Sequence, residues 1–227
     1  CENLPELTLG FEICEDLWAP EPPSVRMAKA GATVIGNLSA SNEVIGKDAY
    51  RRQLVTAQSA RLLCGYLYAS SGEGESTSVF GAHQLIGEHG ALLGEKRFEH
   101  GLLISEIDVQ KLRCERRRTQ VFSEIVERKN YKGFTLTVSD TKLTRYVAPM
   151  PFVPEGKEDR CREILLIASL GLKQRLRHTG AKTAVVGLSG GLDSTLAVLV
   201  TGLAMKMLDR PMTDIIAVTM PCFGTTD

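Results

Sequence analysis

The sequence has no excess of charge of either sign, no paired cysteine motif and no long apolar run. Lysine and arginine total 27 against 27 acidic residues, so no basic surface field argues for nucleic acid as a partner. None of the six cysteines forms a C-x-x-C pair, which argues against a zinc site or a redox dithiol. Because we find no signal peptide and no bilayer-spanning segment, we expect a reducing, cytoplasmic setting and no membrane partner.

The sequence also lacks an initiator methionine and begins at Cys1, so we expect a fragment of a longer protein. Its hydrophobic content of 43% and charged content of 24% are ordinary for a globular protein. A length of 227 residues suits one large domain or about one and a half average domains.

The most informative stretch is residues 183–200, TAVVGLSGGLDSTLAVLV. β-Branched and small apolar residues at 183–187 predict a strand, and residues 188–194 predict a loop of glycine and hydroxyl side chains. The leucine- and alanine-rich remainder predicts a helix. A loop of this kind aims unpaired backbone N–H groups and the positive end of the helix dipole at one point. The sequence therefore predicts an anion-binding site there.

The residues of this loop favour a phosphate group. Gly190 and Gly191 let the main chain approach the anion, and Ser189 and Ser194 add hydroxyl donors. The loop is not a P-loop, because no lysine follows the last glycine at the required place, and it does not match G-x-G-x-x-G. It does match G-x-S-x-G, but in the α/β-hydrolases an Asp and a His follow that Ser, and no histidine follows His178 here.

Residues 1–139 predict alternating strands and helices, followed by hairpins. Strands are predicted at 7–13, 32–39 and 66–70. A helix of about eighteen residues starts at Gly46, with apolar side chains at helical spacing: Tyr50, Leu54, Ala57, Ala60 and Leu63. We interpret the Arg51-Arg52 pair on this helix as a solvated face. Glycine-punctuated apolar runs from residue 72 to LLISEID then predict antiparallel hairpins.

A further helix is predicted at 109–118, and we interpret the charge cluster CERRRTQ at its end as solvated or subunit-facing. One weak strand is predicted at 134–138. Prolines and the lack of a long period between residues 130 and 157 predict an arm between domains. We therefore place a first domain at 1–139, an arm at 140–157 and a second domain at 158–227.

The six residues from Ser189 to Ser194 resemble the SGGxDS signature of the PP-loop ATP pyrophosphatases. The resemblance implies that the loop binds the pyrophosphate end of ATP while a substrate attacks the α-phosphate. It also implies that Asp193 holds Mg²⁺ against the phosphate oxygens. The implied ATP-binding residues are Gly187, Leu188, Ser189, Gly190, Gly191, Leu192, Asp193 and Ser194.

A second motif surrounds Cys14, which follows the first predicted strand in GFEICEDLW. A nucleophile at the end of a buried strand is fixed by the sheet while the loop above admits substrate. This run resembles the glutaminase half of the glutamine-dependent NAD synthetases, as do NLSASNEVIGKDAYRRQL, GEGESTSVF and ALLGE. That family joins a nitrilase-like amidase to a PP-loop synthetase in the order found here. The final MPCFGTT resembles the family's MPGFGTT phrase except at Cys222.

The resemblance covers essentially the whole chain and implies an α/β fold class. The first domain would be the C-terminal part of a nitrilase-like α-β-β-α sandwich. The second would be the start of a Rossmann-like parallel sheet of the PP-loop type. A homo-oligomer is expected because the family assembles that way.

The resemblance also implies a reaction. The thiolate of Cys14 would attack the side-chain amide of glutamine, which Ser41 and Lys47 would help to hold. The ammonia released would reach the second domain, where ATP adenylates the nicotinate carboxylate of deamido-NAD, and would displace AMP to give NAD. The catalytic Glu and Lys of the glutaminase lie upstream of the cysteine in the family, so we expect the 227-residue chain alone to release no glutamate.

Two alternatives remain open at the level of the sequence. Another PP-loop ligase that amidates a different acid, such as GMP synthetase, would explain the SGGLDS loop but not GFEICEDLW. The non-enzyme alternative is an inert piece or a regulatory remnant of a longer protein.

Overall fold

The computed structural model describes residues 1–72, 74, 77–122, 131–138, 141–149 and 158–220. The chain divides into two compact units, Cys1–Tyr146 and Val147–Asp227. Both units combine helices and strands, so the chain has a mixed α/β fold. Half of the arm predicted at 140–157, residue 140 and residues 150–157, lies outside the described residues, and the domain bounds stay a prediction.

Five strands of the first unit form one sheet, in the order β1-β2-β3-β4-β5. They are β1 (Leu9–Ile13), β2 (Val34–Ser39), β3 (Gly65–Ser70), β4 (Gln84–Glu88) and β5 (Ala91–Lys96). The helices of this unit are α1 (Pro23–Lys29), α2 (Lys47–Leu62) and α3 (Val109–Arg118). Strands β1, β2 and β3 are parallel, whereas β4 and β5 form a hairpin antiparallel to β3. Helices α1 and α2 supply the long crossovers that parallel neighbours need.

The last apolar run of the region predicted as hairpins, residues 102–108, forms no strand. Instead Leu103 packs over Gly94, and Ile107 packs over Gly65. A Cβ atom at Gly65 would lie 2.6 Å from Cδ1 of Ile107, so glycine leaves room for this contact. The prediction was wrong because these side chains cover the sheet and their backbone adds no strand to it.

Residues 134–138, predicted as a weak strand, form no strand either. The N–H of Leu136 donates to Oδ1 of Asn3 at 3.0 Å, and the Asn3 amide donates to the carbonyl of Leu136. The N–H of Glu2 donates to the carbonyl of Phe134 at 2.9 Å. The segment is therefore held to the N-terminal residues by the Asn3 side chain and by one backbone hydrogen bond. It does not form the regular backbone ladder of a strand.

Helices α1 and α2 pack on one face of this sheet. Gly10 and Glu12 of β1 point toward that face and are buried. On the opposite face Phe11 is 59% exposed, Ile13 is 66% exposed and Leu38 of β2 is 59% exposed. Strand β1 is therefore half-buried, whereas the sequence predicted a buried strand. On this face Leu103 and Ile107 cover Gly94 and Gly65, while the side chains of β1 and β2 that remain exposed are apolar.

The face of α2 that meets the sheet is more polar than the spacing of its apolar residues suggested. Its buried residues are Arg51, Val55, Gln58, Ser59 and Leu62. Ser59 packs against Gly87, and its hydroxyl accepts the N–H of Gly90 at 3.0 Å. Arg51 is fully buried, so its interpretation as a solvated side chain was wrong. Backbone carbonyls give its guanidinium the acceptors that water would otherwise provide.

The charge cluster at the end of α3 is also only partly solvated, because Arg116 is buried. Its guanidinium donates to four backbone carbonyls, those of Leu63 at 3.0 Å, Ala32 at 2.7 Å, Leu62 at 2.8 Å and Ala28 at 3.4 Å. These carbonyls lie at or just beyond the C-terminal ends of α1 and α2, where helix carbonyls lack intrahelical donors. Arg116 thus acts as a clamp between three helices.

The second unit contains α4 (Glu158–Thr179), β6 (Ala184–Leu188), α5 (Leu192–Lys206) and β7 (Ile215–Thr219). Strands β6 and β7 pair in parallel, and α5 forms the crossover between them. The predicted order of strand, loop and helix is confirmed. Val185 of β6 is 66% exposed, although parallel sheets are normally covered on both faces. Leu199 of α5 is 56% exposed as well. No helix among the described residues is long and apolar enough to cross a membrane.

Replacing Arg116 by alanine should lower the free energy of unfolding by about 3 kcal/mol, because buried carbonyls lose their donors. Urea unfolding, followed by the fluorescence of the single tryptophan, Trp18, measures the change. Arg113→Ala on the same helix is the matched control. Its side chain is 48% exposed and pairs with Glu6 at 3.4 Å, so we expect a change below about 0.5 kcal/mol. Equal effects of the two substitutions would contradict the clamp.

Candidate functional site

Cys14 lies directly after β1, at the edge of the sheet where the parallel strands end. Its φ angle is +48°, a left-handed conformation that is uncommon for a residue other than glycine. Residues Cys14–Trp18 form a short 3₁₀ helix, and the carboxylate of Asp16 accepts the N–H of Ile13 at 2.7 Å. Backbone conformations of this kind are concentrated at active sites, where the surrounding structure holds them in place.

Strand β2 holds the backbone of Cys14 from the neighbouring position. Asn37 is fully buried, and its Nδ2 donates to the carbonyl of Cys14 at 3.2 Å. The hydroxyl of Ser39 donates to Oδ1 of Asn37 at 2.6 Å and fixes the orientation of the amide. The turn that carries the thiol is therefore tied to the sheet by a buried side chain. Sequence reasoning had not identified either residue.

Glu12 lies two residues before Cys14 in the sequence, but its carboxylate binds other residues. Its carboxylate accepts the N–H of Ser24 at 2.8 Å and the hydroxyl of Tyr66. Burial, and then the hydrogen bond to Glu12, raise the pKa of Tyr66, so the phenol stays a donor. Glu12 therefore joins β1 to α1 and β3 through buried hydrogen bonds.

Lys47, one of the two residues predicted to hold glutamine, lies at the start of α2. Its ammonium donates to the carbonyl of Asn42 at 3.0 Å and to Oδ1 of Asn42 at 2.6 Å. The same group lies 5.6 Å from the ring centroid of Trp18. Burial, and then the charge of Arg51, lower the pKa of Lys47, while the charge of Glu43 acts in the opposite direction. Through its contact with Trp18, Lys47 lies beside the 3₁₀ helix that begins at Cys14.

Ser41, the second residue predicted to hold glutamine, is buried, and its hydroxyl faces Arg51. The hydroxyl oxygen accepts a hydrogen bond from Nη2 of Arg51 at 3.1 Å, so its own hydrogen remains available as a donor. The N–H of Ser41 donates to the hydroxyl of Ser70, at the end of β3, at 3.3 Å. Ser41 therefore lies at the same edge of the sheet as Cys14.

Arg51 belongs to a closed ring of ionisable side chains that was not predicted from the sequence. The contacts in order are Arg51 to Glu43 at 2.7 Å, Glu43 to Arg97 at 2.7 Å, Arg97 to Asp48 at 3.5 Å, Asp48 to Arg52 at 3.3 Å, Arg52 to Glu95 at 2.8 Å, Glu95 to His83 at 2.9 Å and His83 to Arg51 at 3.5 Å. The ring joins α2 to the segment 41–43 and to the β4–β5 hairpin. The only signal in the sequence was the i, i+4 spacing of Asp48 and Arg52.

Hydrogen bonds and burial together set the charge states within this ring. Burial alone would raise the pKa of Glu43, but hydrogen bonds from Arg51 and Arg97 outweigh it and hold the pKa below its usual value. The hydrogen bond from Arg52 lowers the pKa of Glu95. Burial lowers the pKa of His83 despite its contact with Glu95, so the imidazole is neutral at pH 7.

The anion-binding loop predicted at 188–194 is shorter in the structure. Strand β6 ends at Leu188 and α5 begins at Leu192, so the loop itself is residues 189–191, and Asp193 lies in the first turn of the helix. Gly190 has φ +80°, which favours glycine, and no atom of the described residues lies within 4 Å of a Cβ atom built there. In the described part of the chain, the space beside Gly190 is therefore open.

Hydroxyl groups line this turn. The hydroxyls of Ser189 and Ser194 lie 3.3 Å apart, and Ser194 donates to the carbonyl of Gly191 at 2.9 Å. The first N–H groups of α5 have no intrahelical acceptors, and they point toward the loop with the positive end of the helix dipole. In the described part of the chain, no hydrogen bond or ion pair engages the carboxylate of Asp193. The described residues also contain no cluster of three or more His, Cys, Asp or Glu that could hold a metal.

The comparisons with known proteins cover both parts of the chain. A family model described as NAD synthase matches residues 166–227. The glutamine-dependent NAD(+) synthetase of Mycobacterium tuberculosis is 41% identical over 240 residues, which cover 98% of this chain and 35% of that protein. The chain is a homologue of the glutamine-dependent NAD(+) synthetases. The Thermotoga maritima synthetase is 26% identical, over 86% of this chain and 34% of its own length. The chain thus spans about a third of the length of these synthetases.

Two solved structures are also similar to the chain. The glutamine-dependent NAD+ synthetase from Acinetobacter baumannii, in complex with ADP, is 19% identical with a TM-score of 0.44, covering 97% of this chain and 34% of that one. The C. elegans NitFhit protein is 25% identical with a TM-score of 0.45, covering 51% of this chain and 28% of that one.

The stability that Glu43 contributes should be present at neutral pH and lost in acid. Because its folded pKa is lowered, the contribution is complete above the unfolded pKa of about 4.3 and disappears as the pH falls through the lower folded value. We expect Glu43→Gln to lower the Tm at pH 7 and to lower it by less at about pH 3, in thermal unfolding followed by circular dichroism.

Glu99→Gln is the control for this comparison. The side chain of Glu99 is 75% exposed and lies 3.7 Å from Lys96, so its replacement should leave the Tm unchanged at both pH values. A Tm difference for Glu43→Gln that is as large in acid as at pH 7 would contradict the assignment of a lowered pKa.

Proposed function

We propose that the chain supplies the glutaminase nucleophile and the ATP-binding loop of a glutamine-dependent NAD(+) synthetase. One observation carries the proposal: Cys14 and the SGGLDS loop both lie at the ends of parallel strands, in a chain that is 41% identical to the Mycobacterium tuberculosis synthetase along 98% of its length. A GMP synthetase is not supported, because the relatives that match are named NAD(+) synthetases.

The finer fold assignment is part of the proposal. The first domain, residues 1–139, is the C-terminal part of a nitrilase-like α-β-β-α sandwich, and the exposed side chains of Phe11, Ile13 and Leu38 would pack against the second sheet. The second domain, residues 158–227, begins a Rossmann-like PP-loop sheet, and residues 140–157 connect the two. The exposure of Val185 and Leu199 supports further elements around β6 and α5.

At the first site the thiolate of Cys14 attacks the carboxamide carbon of glutamine. Ammonia leaves, and water hydrolyses the resulting thioester to glutamate. Lys47 contributes the third hydrogen of its ammonium to the glutamine carboxylate, since two are used by Asn42. Ser41 donates its free hydroxyl hydrogen. The proton acceptor comes from another part of the protein, because Glu12 is committed to Ser24 and Tyr66.

At the second site residues 187–194 bind ATP. The backbone N–H groups around Gly190 and Gly191 receive the pyrophosphate end, and the hydroxyls of Ser189 and Ser194 add donors. Asp193 is the residue that would hold Mg²⁺, which neutralises phosphate charge when bound. Its unengaged carboxylate beside a bed of N–H donors fits that role. The nicotinate carboxylate of deamido-NAD attacks the α-phosphate, pyrophosphate leaves, and ammonia then displaces AMP from the adenylate to give NAD.

Transfer of ammonia between the sites avoids its protonation, because free ammonia is mostly ammonium at pH 7 and is no nucleophile. We also propose a cytoplasmic setting and a homo-oligomeric assembly, in line with the family resemblance. The substrates are glutamine, ATP and deamido-NAD, with no nucleic acid and no membrane as partners.

In a full-length enzyme that contains this chain, Asp193→Asn should reduce AMP formation from ATP and deamido-NAD by about 100-fold, because the metal loses its charged ligand. Glutamate release from glutamine should persist. Asp209→Asn is the matched control, since Asp209 lies after the far end of α5 and its φ of +54° suits asparagine equally well. Equal loss of AMP formation and glutamine hydrolysis in Asp193→Asn would indicate a structural role and contradict the proposal.

A further inference from the structure

We propose that Arg51 is a positioning residue for the glutamine site: it holds segment 41–43, and that segment in turn holds the ammonium group of Lys47. The inference rests on the proposed function, because it concerns the site in which Lys47 and Ser41 bind glutamine. Arg51 itself touches neither the substrate nor the thiol in this account.

The contacts of Arg51 converge on one short segment. Its Nη2 donates to the carbonyl of Ser41 at 3.1 Å, to the hydroxyl of Ser41 at 3.1 Å and to the carbonyl of Asn42 at 2.8 Å. Its Nη1 donates to Glu43 at 2.7 Å. Three consecutive residues are therefore bound by one side chain. Since Arg51 is fully buried, water cannot replace it as the donor.

Segment 41–43 has little regular structure to hold it otherwise. It lies between β2 and α2, where Asn42 forms an isolated bridge with Phe80 and the N–H of Glu43 donates to the carbonyl of Val79 at 2.6 Å. The carbonyl of Ser41 is buried and needs a donor, which the Arg51 guanidinium provides, and the same guanidinium donates to the part-buried carbonyl of Asn42. A planar guanidinium can serve these carbonyls and the Glu43 carboxylate together, whereas a lysine ammonium presents a single point charge.

Asn42 links segment 41–43 to Lys47, the residue proposed to bind the glutamine carboxylate. Both its carbonyl and its Oδ1 accept hydrogen bonds from Nζ of Lys47. The carbonyl of Asn42 therefore bridges the two cations, with Arg51 on the buried side and Lys47 on the side of Trp18. If the segment shifts, the ammonium of Lys47 shifts with it, and the glutamine carboxylate loses its partner.

A second buried arginine, Arg116, serves as a control that distinguishes this role of Arg51 from stabilisation of the core. Arg116 also donates to several backbone carbonyls, but these belong to the ends of α1 and α2, away from segment 41–43. Arg51→Lys and Arg116→Lys therefore remove comparable buried hydrogen bonds. Only the first touches the residues that hold Lys47.

The test uses a full-length enzyme that contains this chain, with NAD formation driven by glutamine or by ammonium. Arg51→Lys should raise the KM for glutamine about tenfold, the effect of losing about one charge-assisted hydrogen bond, with kcat changed less than about threefold. The ammonium-driven rate should not change. Arg116→Lys should lower the Tm and leave the KM for glutamine at the wild-type value.

A second variant covers the case in which Arg51→Lys does not fold. Asn42 is exposed, and Asn42→Ala removes one acceptor of Lys47 while it leaves the backbone carbonyl that Arg51 binds. It should also raise the KM for glutamine, and Arg51→Lys added to it should raise the KM by less than the product of the single effects, because both act through Lys47.

Three results would overturn the inference. They are an unchanged KM for glutamine in Arg51→Lys, an unchanged KM in Asn42→Ala, and an equal loss of the glutamine and ammonium reactions in folded Arg51→Lys enzyme. A wild-type enzyme that forms no NAD from either nitrogen source would instead refute the proposed function, and the inference would fall with it.

Discussion

Parallel strand pairing is the constraint on which the candidate sites depend. Cys14 follows β1, Ser41 lies two residues beyond β2, and Ser70 ends β3, so the register of three parallel strands brings them to one edge of the sheet. The second unit repeats the arrangement, because Ser189 follows β6, which is parallel to β7. Ligands of open α/β sheets bind beyond the carboxyl ends of parallel strands, since the loops there are free to carry chemistry while the sheet fixes their ends.

Buried polar groups then define the geometry at that edge. Asn37 ties the backbone of Cys14 to β2, and Arg51 ties segment 41–43 to α2. Both side chains are fully buried, so losing one partner would leave an unpaired polar group in a water-excluded environment. The ring of side chains around Arg51 extends this dependence to the β4–β5 hairpin through Glu43 and His83. The position of Lys47 therefore depends on residues far from it in sequence.

The sequence predicted the local features well, because they depend on neighbouring residues. The strand, loop and helix around Gly190 follow from periodicity and glycine placement, and the strand that ends before Cys14 was predicted in the same way. The role of Arg51 could not be predicted, since its acceptors are backbone carbonyls and a carboxylate up to ten positions away that only folding brings together. The same holds for Arg116 and for Ile107, whose contacts cross from one element to another.

The central claim is that one chain carries two separable sites, one for glutamine and one for ATP. The most direct test measures NAD by mass in a full-length enzyme that contains this chain, from deamido-NAD, ATP and Mg²⁺, with either glutamine or ammonium as the nitrogen source. The account predicts that Cys14→Ala abolishes the glutamine-driven reaction and keeps the ammonium-driven one. Persistence of the glutamine-driven reaction in Cys14→Ala, or loss of both reactions in folded protein, would contradict it.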